Sequence, residues 1–178
     1  MNTKGFTLIE LLIVIAIIGI LTTITGSAVS SARRKAQTAS AQSNLLNIEK
    51  AIFQMALDTN AWPNHQSVNC VQTGGSNEVS NLNTGPAGLV INDSGNPYAG
   101  WAGPYMTSVP VDPWGAHYFL DTDYYVTSAD LPCGQNGGTS GCTGVVAVGS
   151  LGPNNDGGIN DYDSDNIIKI IARGASCL

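Results

Sequence analysis

From Phe6 to Val29 the chain reads FTLIELLIVIAIIGILTTITGSAV, an almost unbroken apolar run of twenty-four residues. As a helix it would extend about 36 Å, enough to cross a bilayer. Beyond the basic triplet Arg33, Arg34 and Lys35 the pattern changes. Ala41, Leu45, Ile48, Ile52 and Met55 recur at spacings of three and four, which places one apolar stripe on an otherwise polar helix. The two patterns together predict one helix from Phe6 to about Leu57. It should end in DTNAWP, Asp58 to Pro63, because the residue before a proline avoids helical geometry.

Residues 64–100 are rich in Gly, Asn, Ser and Thr with only short apolar runs, so they predict a long loop region with one small element around Leu89 to Ile91. In WAGPYMTSVPVDPWGAHYFL, Trp101 to Leu120, Gly and Pro punctuate aromatic and apolar pieces. Strand character emerges at HYFL and again at DYYVT. VVAVGSL, Val145 to Leu151, predicts a central strand, and IIKIIA, Ile167 to Ala172, a last one, with an acidic loop between them. Helix first and antiparallel strands after is an α+β fold. The expected architecture is a long N-terminal α-helix, transmembrane in its first half and amphipathic in its second, packed on a small antiparallel β-sheet head with long loops. A chain of 178 residues leaves room for one such head once an anchor is subtracted.

The net charge of -6 is unevenly spread. Residues 1–50 carry five cations against Glu10 and Glu49, whereas the remainder carries eleven acids against Lys169 and Arg173. A head so poor in Lys and Arg is a poor partner for phosphate backbones, and nucleic acid is not expected to bind it. Four cysteines, Cys70, Cys133, Cys142 and Cys177, lack the paired spacing of zinc sites and predict disulfides outside the cytoplasm. Cys133 and Cys142 flank the flexible stretch GQNGGTSG and are expected to pair, which leaves Cys70 with Cys177 by elimination.

Two features of the N-terminus are unusual for an anchor. Glu10 places a carboxylate inside the apolar run, where it costs about 2.5 to 3.5 kcal/mol near the bilayer centre and so implies a partner. Ahead of it, Met1 to Gly5 form a short leader with Lys4 and a glycine just before Phe6. Cleavage after Gly5 would create an ammonium at Phe6, four residues before Glu10. The segment KGFTLIELLIVIAIIGIL resembles the class III leader and anchor of type IV pilins and type II secretion pseudopilins. The resemblance implies that a prepilin peptidase removes residues 1–5, cutting between Gly5 and Phe6 and methylating the new amine. Glu10 then guides the subunit into a growing filament, its buried charge satisfied by a neighbour's Phe6 amine only upon assembly. Many relatives have a proline partway down this helix, where the present chain has Thr25, Gly26 and Ser27. By the positive-inside bias, the basic triplet would place the head in the cytoplasm; the cysteines and the family both place it outside.

Further on, GPYM followed by VPVDPWGAHY resembles the signature of the major pseudopilin of type II secretion systems. Asp112 to Gly115 are expected to form a structural turn with Trp114 buried and Asp112 bonding local backbone. The resemblance implies residues 6–29 as membrane span and filament core, and residues 30–178 as a periplasmic or extracellular head that includes the amphipathic half of the helix. The expected function is structural: a subunit of a helical pilus-like filament, the major pseudopilin that drives protein export. The alternatives are the major pilin of an extracellular type IV pilus and, more remotely, a membrane-tethered calcium-binding module. Expected partners are copies of the chain itself, the prepilin peptidase, the inner-membrane assembly platform with minor pilins, and membrane lipid before assembly. The inner membrane is the expected location before assembly, and a periplasmic or cell-surface filament afterwards.

No enzyme is expected. His65 and His117 lie in separate segments, and no GxSxG, P-loop or HExxH pattern occurs. The loop from Leu151 to Asp165 is the remaining candidate site, since its densely spaced carboxylates would repel one another unless neutralised. Calcium suits a set of oxygen donors held in loose geometry, whereas zinc would want His or thiolate. SLG followed by an acidic, glycine-rich stretch resembles the calcium loop of the major pseudopilin. The resemblance implies a structural calcium ion held by the Leu151 carbonyl with Asn154, Asp156, Asp161, Asp163 and Asp165, Asn154 standing where the family usually has an acid.

Overall fold

The structure is a computed structural model that describes residues 5–69, 71, 78–133, 141–155 and 163–174, without the side chains of residues 23–28. The chain divides into two compact units, Met1–Gln37 and Thr38–Leu178.

A single helix, α1, runs from Leu8–Thr59, two residues later at each end than the apolar pattern predicts. In the first unit its large apolar side chains are exposed, from Phe6 and Leu8 through Ile20 and Leu21. The expected span 6–29 includes residues 23–28, whose side chains lie outside the description. Among the described residues, no helix is long and apolar enough to cross a membrane.

In the second unit the predicted stripe is buried: Leu45, Ile48, Ile52 and Met55, with Ala51, pack into the main core, and Ala41 is buried as well. The helix stops at Asn60, whose φ of 53° is left-handed and whose N–H reaches the Ala56 carbonyl at 2.9 Å. Asn tolerates this conformation better than most residues, so the C-terminus is closed without glycine. A two-residue ladder follows, in which β1 (Ala61–Trp62) pairs antiparallel with β2 (Gln66–Ser67) around a single 3-10 turn at Pro63–His65.

The main sheet has three antiparallel strands in the order β3 (Phe119–Val126), β4 (Thr143–Ser150), β5 (Ile167–Ala172). The run predicted as central is central. Leu120, Val146 and Val148 join the helix stripe in the main core, while Phe119, Tyr124, Val126, Val145 and Ala147 form a second cluster against Ile168 and Ile170. Strand periodicity of two explains the division along β4 and β5, since successive side chains point to opposite faces. Gly149 belongs to that geometry: a Cβ there would lie 2.5 Å from the Phe119 ring, which fills the space over the glycine. HYFL and DYYVT prove to be parts of one strand, β3, continuous through Asp121, Thr122 and Asp123.

Among the described residues of the segment expected to be a loop, no helix or strand forms at Leu89 to Ile91. After β2 the regular piece is a 3-10 turn at Gly85–Ala87, and Leu82, Ala87, Leu89 and Tyr98 are as deeply buried as the helix stripe. Gly88 adopts φ +71°, and a Cβ there would come within 2.6 Å of Met55 Cε and 2.8 Å of the Tyr98 ring. The Trp101 indole N–H donates to the Gly88 carbonyl at 2.7 Å.

Candidate functional site

Three places carry the residues singled out in the sequence: the start of α1, the turn that precedes β3, and the turns at the β4–β5 end of the sheet.

At the start of α1, Thr7 precedes the first helical residue and Glu10 stands in the first turn. The Thr7 N–H donates to Glu10 Oε2 at 2.8 Å, the Thr7 hydroxyl donates to the same oxygen at 2.7 Å, and the Glu10 N–H donates to Thr7 Oγ1 at 3.3 Å. This reciprocal arrangement is a capping box, in which both residues satisfy N–H groups that the helix start would leave open. Within the single chain, Glu10 therefore already has Thr7 as a hydrogen-bond partner. The T-x-x-E spacing of Thr7 and Glu10 was the signal for it, obscured by the apolar run around it. Gly5 has open space around it and Phe6 is exposed, so the bond between them is accessible.

The second place is the turn from Asp112 to Ala116. Asp112 is buried and gathers three donors: the Trp114 and Ala116 N–H groups reach Oδ1 at 3.0 and 2.8 Å, and the Ser150 hydroxyl reaches Oδ2 at 2.5 Å. Trp114, expected to be buried, is only partly so. The carboxylate is the inward anchor, because a buried acceptor must be met by donors and the turn supplies them. Through Ser150 the turn holds the C-terminal end of β4.

That end of β4 opens into the acidic loop. Ser150 Oγ accepts the Gly152 N–H at 3.1 Å, and Gly152 adopts φ +77° where a Cβ would meet the Asp165 carbonyl oxygen at 2.2 Å. Only glycine fits so close an approach of two backbones. The Asn154 N–H then donates to Asp165 Oδ2 at 3.0 Å, and the Asn154 amide to Asp163 Oδ2 at 2.7 Å. The Asn154 amide and the Ser164 N–H hold the Asp163 carboxyl below the usual aspartate range. Asn154, Asp163 and Asp165 are thus brought together, while the Leu151 side chain packs against the second apolar cluster. Asp156 and Asp161 lie outside the described residues, and among the described residues no group of three or more His, Cys, Asp or Glu residues could hold a metal ion. The donors that are described are all oxygen or amide groups, and Asp165 Oδ1 is buried without a hydrogen-bond partner among the described residues. An orphaned carboxylate oxygen of this kind fits a hard cation.

Cys133 and Cys142 are joined by a disulfide with Cα atoms 6.3 Å apart, while Cys70 and Cys177 lie outside the described residues. The histidines are in unrelated settings. His117 is exposed beside the Asp112 turn, and His65 stacks on Tyr98 with ring centroids 3.8 Å apart while pairing with Asp93 at 3.3 Å. Among the described residues, neither approaches a cluster of metal ligands.

The family described as Prokaryotic N-terminal methylation motif matches residues 1–26, and that described as Type II secretion system (T2SS), protein G matches residues 28–167. Among curated relatives, the type II secretion system core protein G of Klebsiella pneumoniae is 28% identical over 152 residues, covering 84% of each chain. That of Pseudomonas aeruginosa is 32% identical over 117 residues, 65% of this chain and 70% of its own, and that of Pectobacterium carotovorum subsp. carotovorum is 27% identical over 158 residues, 89% and 81%. Among solved structures, the major pseudopilin from the type 2 secretion system of enterohaemorrhagic Escherichia coli aligns with a TM-score of 0.42 at 19% identity, covering 78% of this chain and 90% of that one. With a match over most of the head and a second over the anchor, the chain belongs to the type II secretion system protein G family.

Proposed function

We propose that the chain is the major structural subunit of a type II secretion pseudopilus, processed by prepilin peptidase after Gly5 and assembled through α1 with copies of itself. The observation that carries this is the first unit: a helix with apolar side chains exposed on every side, from Phe6 to Leu21, and one carboxylate at its start. Exposed apolar surface of that extent needs lipid or neighbouring helices to cover it. Before assembly the anchor lies in the inner membrane with the head outside the cytoplasm, in keeping with the Cys133–Cys142 disulfide. During assembly the platform and minor pseudopilins receive the subunit, and the Glu10 carboxylate exchanges Thr7 for a neighbour's amine. The role is structural rather than catalytic.

Mass analysis of the membrane-extracted protein tests the processing, with methylated Phe6 as the expected N-terminus. Met1 retained, or a cut beyond Ser27, refutes it. Glu10→Ala should remain membrane-bound and cleaved yet fail to build filaments when expressed with the secretion machinery.

The loop after β4 is proposed to hold one structural calcium ion, with Asp163 and Asp165 as its principal carboxylates, joined by the Leu151 carbonyl, Asn154, Asp156 and Asp161. Bound there, calcium would neutralise the loop and tie the end of β4 to the start of β5. Because the unfolded chain lacks the site, binding stabilises the head by mass action. Thermal melting with millimolar calcium and with chelator should give different midpoints for the native chain and the same midpoint for Asp165→Ala. Equal midpoints for the native chain eliminate the ion.

A further inference from the structure

β3 carries two carboxyl side chains into the interior of the head. Asp121 is fully buried and Asp123 is 8% exposed. They flank Thr122 at the point where the ladder with β4 slips, Asp121 lying opposite Ala147 and Tyr124 opposite Val145. Two residues of β3 thus face one of β4, which is a bulge. The Asp123 N–H donates to Asp121 Oδ1 at 2.8 Å, which folds the two residues toward each other. Asp121 Oδ2 is buried and meets no hydrogen-bond donor among the described residues. The charged groups that face it are the Asp123 carboxyl on its own strand and Glu78, which adjoins the bridge between Val79 and Leu120. Across the ladder β4 brings only Ala147, Val146 and Val145.

An ionised Asp121 in this setting is a buried charge with like charges as neighbours, the least favourable state a carboxylate can occupy. Either a cation or a proton must relieve it. A hard cation takes six to eight oxygens, and no third metal-ligating residue completes a cluster here among the described residues. A proton needs only one oxygen, and Asp121 Oδ2, buried and without a donor among the described residues, supplies it.

We propose that Asp121 holds a proton in the folded head, a neutral buried acid at the β3 bulge that ionises as the medium turns alkaline. The proton comes from water on folding and returns to it when Asp121 ionises. Burial first, and then the Asp123 carboxyl, push Asp121 up to about 8. The unfolded chain releases this proton near the ordinary aspartate value, so between about 4 and about 8 the folded state holds one proton more. Stability therefore falls as pH rises through that window, by up to about tenfold in the folding equilibrium constant per pH unit, and levels off above it.

The test is urea unfolding of the full-length processed protein in detergent micelles, from pH 5 to pH 9 with chelator present. The folding constant of the native chain should drop by about a hundredfold or more between pH 5 and pH 8. Asp121→Asn, which mimics the protonated acid, should lose most of that slope and exceed the native chain in stability at pH 8.5. A slope retained in Asp121→Asn overturns the proposal. Carbon-13 spectra of the native chain with labelled aspartate carboxyls provide a readout that needs no variant. One aspartate still protonated at pH 6.5 is expected, and a full set of ionised aspartates at that pH overturns the proposal. Calcium stabilisation at pH 8.5 that Asp121→Asn abolishes would likewise overturn it, by assigning a cation in place of the proton.

Discussion

Replacing Asp112 by alanine should loosen the head more than any other single change in the turn before β3. The side chain is buried and accepts from Trp114 N–H, Ala116 N–H and the Ser150 hydroxyl. A hydrogen bond to a charged group contributes about 1.5 to 3 kcal/mol, and a typical backbone bond about 1 kcal/mol. All three bonds end on one carboxylate; counting the buried Ser150 bond at the full charged value and the two part-buried turn bonds, whose N–H groups water can reach once the side chain is gone, at about 1 kcal/mol each, the loss comes to about 3 to 5 kcal/mol. For a head of this size that lowers the melting midpoint by about 10 °C. Asp112→Asn is the informative control, because its amide oxygen keeps both turn N–H groups while the Ser150 hydroxyl rotates to accept from the new NH2. It should cost about 1 to 2 kcal/mol. Circular dichroism melts of the full-length protein in detergent, with calcium held constant, measure both. If asparagine is as damaging as alanine, or if alanine costs under about 1 kcal/mol, then Asp112 does not hold the turn to β4 in the way described.

Gly152→Ala should lower stability by about 2 kcal/mol or more and abolish any calcium response, since a Cβ would collide with the Asp165 backbone and the residue needs φ +77°. Calorimetric calcium titration of the variant checks this. The Gly95 N–H, foremost, and His65 hold the Asp93 carboxyl below its ordinary range, so its contribution is present above the unfolded aspartate value and lost as pH falls through the folded one. Hydrogen exchange across residues 86–98 should accordingly quicken below about pH 4, and His65→Ala should quicken it at neutral pH as well. Opening the Cys133–Cys142 disulfide, whose partners are nine residues apart, should cost about 2.5 kcal/mol by chain entropy. Comparing urea midpoints of the native chain and the Cys133→Ser, Cys142→Ser double variant tests that figure.

What local pattern can encode was legible in the amino-acid sequence. The stripe Ala41, Leu45, Ile48, Ile52 and Met55 announces its own burial, because helical spacing puts those side chains on one face wherever the helix lies. The runs at 145–151 and 167–172 announce strands for the corresponding reason. Eight intervening residues with four glycines suffice to predict that Cys133 reaches Cys142. At the candidate calcium loop, residue types pointed to oxygen ligation, and the T-x-x-E of the capping box was available in the same way although the apolar run hid it.

The rest depended on residues far apart in the chain. Residues 64–100 have no period, so nothing local says that Leu82, Leu89 and Tyr98 are core. They become so because Met55, Gly88 and Trp101 leave shaped space for them. Trp114 is the more apolar member of its turn, yet Asp112 goes inside, because Ser150 meets it from a strand 38 residues away. The pair Asp121 and Asp123 reads as a turn or a solvated edge until β4 and the Val79 bridge close over it. Periodicity reports which way a side chain points along its own element, and only the neighbours brought by the tertiary fold decide whether what it meets is water, a donor or another carboxylate.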